Sequence, residues 1–215
     1  MKTELRHLMK PTEVIENENG RFYVIGGQKY PSVTTVLGYR ERDKWTEWRE
    51  NNKSYMNRIL DRGSDMHERI EKHLLGESPG DYSVGHPEGY ILYKQILPLL
   101  SPITNVVGLE KFLYSTELRV AGRADCIAEY NNEPAIIDFK TSTRKKSVDE
   151  VYSYFKQATC YAKMYEERTG VKIPNIVILM SCADGEIEVF QEDPDHYIDD
   201  VREDIEYYYS QNKMD

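Results

Sequence analysis

The spacing of apolar residues changes along the chain, and each change marks a new element. In residues 21–30, RFYVIGGQKY, two short alternating runs flank Gly26-Gly27, a pair that tolerates tight-turn geometry, which predicts a hairpin. In PSVTTVLG, Ser32 is placed to cap a short helix and Gly38 to end it. A second, amphipathic helix is expected over about 41–53, where Trp45 and Trp48 sit in a charged run. From about 55 to 75 the period lengthens to that of a helix. Met56, Leu60, Gly63, His67, Ile70 and Leu74 fall in one stripe, with His67 at the centre of the inward face. Gly63, one turn before His67, leaves room for a close approach, at a helix-propensity cost of about 1 kcal/mol. Gly76 ends that helix, 77–88 reads as a loop, and a helix resumes from Glu88 to Leu100.

Strand-like segments follow at about 108–118, 120–130 and 135–140, the last two separated by the turn signal Asn131-Asn132-Glu133-Pro134. Ser147-Val148-Asp149-Glu150 matches a capping box opening a helix that runs to about Arg168, with Gly170 as its stop. Two further strands are expected at 174–181 and 185–191. Asp193-Pro194 then starts a last helix with Ile198, Val201, Ile205 and Tyr208 on one face. The order predicts an α/β fold: a central mixed β-sheet flanked by helices, with helical additions at both termini.

A length of 215 residues suits one domain with a substantial core, divided into an N-terminal hairpin and helices (1–54), a core (55–191) and an acidic C-terminal helix (192–215). No apolar run approaches the roughly 20 residues needed to span a bilayer, so no membrane partner is expected. The N-terminal residues lack the apolar region of a secretory signal and contain acids that a mitochondrial presequence avoids, so a cytoplasmic location is expected. Cys126, Cys160 and Cys182 form no CxxC pair, which argues for reduced core residues over a disulfide framework or structural zinc.

The net charge of −9 argues against a nucleic-acid partner only until it is divided along the chain. Residues 184–215 hold twelve acids against Arg202 and Lys213, which leaves 26 basic against 25 acidic side chains in residues 1–183. Local basic groups, not the global sum, decide phosphate binding, and Arg123, Lys140 and Arg144-Lys145-Lys146 lie close together in the chain.

The chemistry concentrates in AIIDFKTS, residues 135–142. Ala135-Ile136-Ile137 reads as a buried strand, yet Asp138 and Lys140 follow, two residues apart and therefore on one face. If the loop before this strand has two or four residues, Asp125 stands opposite Asp138 or Lys140, with Cβ atoms about 4.5–5.5 Å apart. Two carboxylates so close repel one another, and a divalent cation resolves the conflict. Oxygen ligands on adjacent strands suit Mg²⁺ or Mn²⁺, and a lysine beside them stabilises charge developing on a phosphate. A solvated strand end with simple ion pairing remains the alternative from spacing alone.

Gly122-Arg123-Ala124-Asp125, twelve residues, then Asp138-Phe139-Lys140-Thr141-Ser142 resembles the core of the PD-(D/E)XK nucleases, in particular the RecB-like branch. Ala124 stands where that pattern has proline. The resemblance implies a restriction-endonuclease-like core of αβββαβ order, with Asp125 and Asp138 as metal ligands, Lys140 as the catalytic lysine and the Phe139 carbonyl as a further ligand. Gly63-Ser64-Asp65-Met66-His67 is similar to the branch's upstream GxxxH helix, which makes His67 a candidate ligand. Gln157 and Tyr161 match its QxxxY motif, where an amide and a phenol hold nucleic acid. Tyr30-Pro31-Ser32-Val33-Thr34-Thr35 resembles the N-terminal part of mitochondrial genome-maintenance and phage exonucleases of this group, so Ser32, Thr34 and Thr35 are candidate substrate contacts.

Arg123, Ser142 and Arg144 are expected to guide the strand, with Trp45 and Trp48 able to stack on bases. Glu117, eight residues before Asp125, is a further candidate acid. The expected function is metal-dependent exonucleolytic hydrolysis of DNA, from single-stranded ends, in replication, recombination or repair, by a free-standing enzyme of phage type acting in a host cytoplasm. A structure-specific endonuclease with the same centre and a non-catalytic DNA-binding module stay open. So does the acidic C-terminal helix, which can bind a protein partner or repel nucleic acid.

Overall fold

Two sheets and the helices around them are described over residues 10–42, 44 and 50–212 of the computed structural model. Strands β1 (Glu13–Asn17), β2 (Gly20–Ile25) and β3 (Gln28–Pro31) form a small antiparallel sheet in that order. The expected hairpin is present, with Gly26 and Gly27 at φ 57° and 82°, values open to glycine at no steric cost. β1 was not expected, because nearly all its residues are exposed and it carries no apolar alternation. Helix α1 (Val33–Leu37) is capped by the Ser32 hydroxyl, which accepts from the Thr35 N–H at 3.0 Å, and ends at Gly38. The helix expected over about 41–53, with Trp45 and Trp48, lies largely outside the described residues.

Helix α2 (Lys53–Leu74) buries Arg62, Met66, Arg69 and Ile70, whereas Leu60 is 59% exposed. Its inward face is therefore rotated from the apolar stripe toward Met66, and His67 stands at the border of that face rather than its centre. The cause is Arg69. Its guanidinium donates to the Pro79 carbonyl (2.7 Å) and the Asp65 carboxylate (2.6 Å), so a charged residue takes a position that hydropathy assigns to solvent. Helix α3 (Pro87–Leu100) starts with proline at its first turn, where no N–H is missed.

The main sheet has the order β4 (Ile103–Ser115), β5 (Val120–Tyr130), β6 (Glu133–Ser142), β7 (Asn175–Cys182) and β8 (Ile187–Glu192). Only β6 and β7 are parallel, joined by a crossover through α4 (Tyr152–Thr169), so the sheet is mixed. β4 starts five residues earlier than expected and stops at Ser115. The chain turns through Thr116–Arg119, where Arg119 takes φ 55° without a glycine to announce it. Between β5 and β6 the loop has two residues, Asn131 and Asn132, at φ 52° and 67°, which sets Cys126 opposite Ile137. Glu150 accepts from the Ser147 N–H at 3.0 Å, one half of the expected capping box, but its own N–H bonds the Ser147 carbonyl rather than the hydroxyl; a 3₁₀ turn over Asp149–Val151 precedes α4, which Gly170 ends at φ 73°. Asp193-Pro194 opens a 3₁₀ turn, and the last helix, α5, runs over Ile198–Gln211.

α4 and α5 cover one face of the sheet, packing with Ile136, Ile176, Ile178 and Met180. α2 and α3 cover the other, with Ile137, Phe139, Val177 and Leu179. The small sheet is fastened by Tyr23, Ile25 and Tyr30 packing on Tyr114 and Ala121, and by a parallel bridge from Ser32 to Ala121. Cys126, Cys160 and Cys182 are all buried and unpaired. No helix among the described residues is long and apolar enough to cross a membrane.

Candidate active site

Strands β5 and β6 part company just where the charges stand. Their last ladder pair is Cys126 with Ile137; beyond it, the Phe139 N–H donates to the Asp125 carboxylate at 2.9 Å. Ala124 and Cys126, two residues apart, join apolar clusters on opposite faces, so β5 turns over at Asp125. Asp138 is 1% exposed, and the Lys140 ammonium lies 2.5 Å from one of its oxygens. Neither carboxylate oxygen has a hydrogen-bond partner of good geometry among the described residues. Burial pushes the Asp138 carboxyl up to about 6, with Lys140 pulling it down and Asp125 adding to the rise. Burial works against the Lys140 charge, but Asp138 and Asp125 outweigh it and hold the lysine above its ordinary value. Lys140 also donates to the Gln157 amide oxygen at 3.4 Å and lies 5.1 Å from the centre of the Tyr154 ring.

On the α2 side, His67 Nε2 lies 2.8 Å from the Phe139 carbonyl oxygen and must be its donor, since that oxygen can only accept. The other ring nitrogen, Nδ1, is 3.6 Å from Asp125 and 4.0 Å from Glu110. Burial disfavours a charged imidazole here, but the Asp125 and Glu110 carboxylates more than offset it and raise the His67 pKa. The Phe139 carbonyl, expected to face a metal, accepts this one bond and keeps a second lone pair.

Glu110 is the residue that sequence reasoning missed. The pairs Leu109 with Cys126 and Lys111 with Ala124 bracket it opposite Asp125, and it takes φ 47°, a conformation that costs a non-glycine residue on the order of 1–3 kcal/mol. An acid inside the apolar run GLEKF was the available signal. Glu117, the acid expected instead, sits in the Thr116–Arg119 turn and pairs with Arg202 at 3.5 Å.

The remaining candidates divide. Gln157 holds Lys140, and Tyr161, one turn further along α4, is buried with its hydroxyl at Gln157; burial and then the nearby Asp125 and Asp138 charges push the phenol well above its ordinary value. Its ring lies against Gly122, where a Cβ would come 2.8 Å from it. Arg123 is exposed and 3.7 Å from Glu110. Ser142 is buried and donates to the Arg144 carbonyl, while the Arg144 guanidinium pairs with Glu150 at 2.6 Å. Ser32 is buried, and the Thr35 hydroxyl accepts from the Arg21 N–H at 3.0 Å. Thr34, Thr35, Tyr154 and Gln157 line a cleft of about 1000 Å³ between the β1–β2 turn, α1 and the start of α4.

This donor set fits a hard divalent cation. His67, Glu110 and Asp125 each offer a ligand atom, all within 4.8 Å of one another. An imidazole with its far N–H tied to a backbone carbonyl is oriented as metal-ligating histidines are. Asp138, buried beside them and paired with Lys140, adds a second carboxylate whose repulsion with Asp125 a divalent cation compensates.

Comparison with known proteins agrees with this geometry. The sequence profile of the PD-(D/E)XK nuclease superfamily matches residues 89–208. The chain is 33% identical over 138 residues to mitochondrial genome maintenance exonuclease 1 of Mus musculus, a match covering 61% of this chain and 39% of that protein. It is 32% identical over 93 residues to the Xenopus tropicalis protein of the same name, covering 43% and 26% respectively. The chain therefore spans well under half the length of these relatives. A solved structure from Eubacterium rectale, proposed to be an exonuclease, has a similar fold, with a TM-score of 0.50 and 14% identity, covering 72% of this chain and 65% of that one.

Proposed function

The chain belongs to the PD-(D/E)XK nuclease superfamily, and from that premise we propose that it is a metal-dependent exonuclease hydrolysing DNA from single-stranded ends. Its place is in DNA replication, recombination or repair. The observation that carries the reading is the buried Asp138–Lys140 pair: a carboxylate 1% exposed with its ammonium partner at 2.5 Å, and with Asp125 and His67 close enough to act on its charge. Burying an ion pair costs several kcal/mol per ion in desolvation, so a second carboxylate and an imidazole gathered beside it mark a functional site rather than a stabilising one.

His67, Asp125 and Asp138 would hold Mg²⁺ or Mn²⁺, which would supply Lewis-acid stabilisation of charge on the scissile phosphate. Lys140, kept protonated by Asp138 and Asp125, presents its ammonium to the developing negative charge. Gln157 holds that ammonium from the α4 side. Phe139 fixes the two halves of the site, its N–H on Asp125 and its carbonyl on His67. The strand is guided by Arg123 at the mouth and by Thr34, Thr35 and Gln157 along the cleft, where a chain of nucleotides has room. The names of the curated relatives support the exonucleolytic mode.

End-labelled linear and circular single-stranded DNA of one sequence, digested with Mg²⁺ or Mn²⁺, test the proposal. Degradation of the linear strand with the circle intact is expected. Cutting of the circle would replace the exonuclease with an endonuclease, and no cleavage with either metal would leave a DNA-binding module.

A further inference from the structure

We propose that Glu110 is a ligand of the divalent cation, joining His67 Nδ1, Asp125 and Asp138 as the fourth side chain of the site. The inference rests on the nuclease reading above and assigns a residue outside all the motifs that led to it. Three relationships carry it. Glu110 stands across the β4–β5 ladder from Asp125, between the pairs Leu109 with Cys126 and Lys111 with Ala124. Its carboxylate approaches the ring nitrogen that His67 leaves free, at 4.0 Å, while Asp125 approaches the same nitrogen at 3.6 Å. Asp138, buried and paired with Lys140, lies close enough that Asp125 and His67 both act on its charge.

The assignment also uses both sides of the imidazole: the Phe139 carbonyl accepts the His67 Nε2–H and orients the ring, and Glu110 brings a carboxylate toward its other nitrogen. An imidazole with three carboxylates suits Mn²⁺ better than Mg²⁺, because nitrogen ligands favour the later ion. The second Glu110 oxygen faces Arg123 at 3.7 Å, so the same side chain joins the cation to the exposed arginine at the mouth of the site.

Mn²⁺ binding to the metal-free protein, read from the free-ion electron paramagnetic resonance signal, tests the assignment without any cleavage assay. Glu110→Gln is expected to weaken Mn²⁺ binding at least ~10-fold and to raise the water-proton relaxivity of the bound ion, because a water takes the vacated position. Glu117→Gln, in the turn that pairs with Arg202, is expected to bind as the wild type does. Circular dichroism checks folding, and if Glu110→Gln misfolds, Glu110→Asp, which keeps the charge but shortens the reach, replaces it with the same expectation. Wild-type affinity or unchanged relaxivity in the Glu110 variant, with Asp125→Asn defective, would overturn the role of Glu110 alone. Wild-type affinity in Asp125→Asn as well would bring down the metal-site reading on which it rests.

Discussion

His67 and Phe139 are joined across two elements: Nε2–H of the helix residue donates to the carbonyl of the strand residue at 2.8 Å. The bond does two things at once. It fastens α2 to β6 and fixes which ring nitrogen is free to face the acids.

Replacing His67 with alanine removes both. The protein is expected to stay folded and lose about 1 kcal/mol, the ordinary worth of one hydrogen bond. The Mn²⁺ concentration for half-maximal cleavage should rise at least ~10-fold. Melting curves and a metal titration of the cleavage rate check both, and an unchanged metal requirement would remove His67 from the ligand set.

Lys140→Ala and Asp138→Asn should each lower cleavage by at least ~10²-fold, the loss seen when one charge-stabilising donor is taken from an active site. Circular dichroism separates this from unfolding. Near wild-type rates in either variant would show that the buried pair is structural.

Gly122 is a steric prediction. With a Cβ placed 2.8 Å from the Tyr161 ring, Gly122→Ala should cost about 1–3 kcal/mol, the usual penalty for overpacking. Adding Tyr161→Leu, which clears the space, should recover part of that loss, so that the double variant is less destabilised than the two single effects combined. Additive losses in denaturant melts would mean that the two residues do not meet.

Asp195 gives a pH prediction away from the site. Lys163 (2.6 Å) and Lys172 (2.9 Å) hold its carboxyl down from 3.8 to about 2. A folded-state pKa below the unfolded one contributes stability that is present above about pH 4 and lost as pH falls toward 2. The side chain is 43% exposed, so Asp195→Asn should cost only ~0.2–1 kcal/mol, or about 1–3 °C in melting temperature. That gap should close between pH 4 and pH 2; a gap independent of pH would mean that the lysines do not act through charge.

Most of the fold was legible, because helices and strands here are bounded by residues with one conformational use: Ser32, Gly38, Gly26-Gly27, Asn131-Asn132 and Gly170. Loop length gave the β5–β6 register as far as Cys126 and Ile137, but the direct opposition of Asp125 and Asp138 that strand parity predicts is replaced by a turn-over of β5 at Asp125, whose carboxylate takes the Phe139 N–H instead. What was not legible is equally physical. The β4–β5 turn is made by Thr116, Glu117, Leu118 and Arg119, with Arg119 forced to φ 55° and no glycine, proline or asparagine to mark it. Without that turn the register of β4 could not be counted, and Glu117 alone was expected as a further acid. The inward face of α2 was misread because Arg62 and Arg69 are buried against polar partners that no hydropathy pattern reveals.

The two-residue loop at Asn131-Asn132 behaves as a counting device. It carries no charge to the site, yet a strand repeats every two residues, so one residue more or less between β5 and β6 would turn Asp125 to the wrong face. Descendants of this gene can therefore respell the turn, within what a positive φ permits, but cannot change its length. Selection should act there on codon number first and codon identity second, the opposite of its action at Asp138.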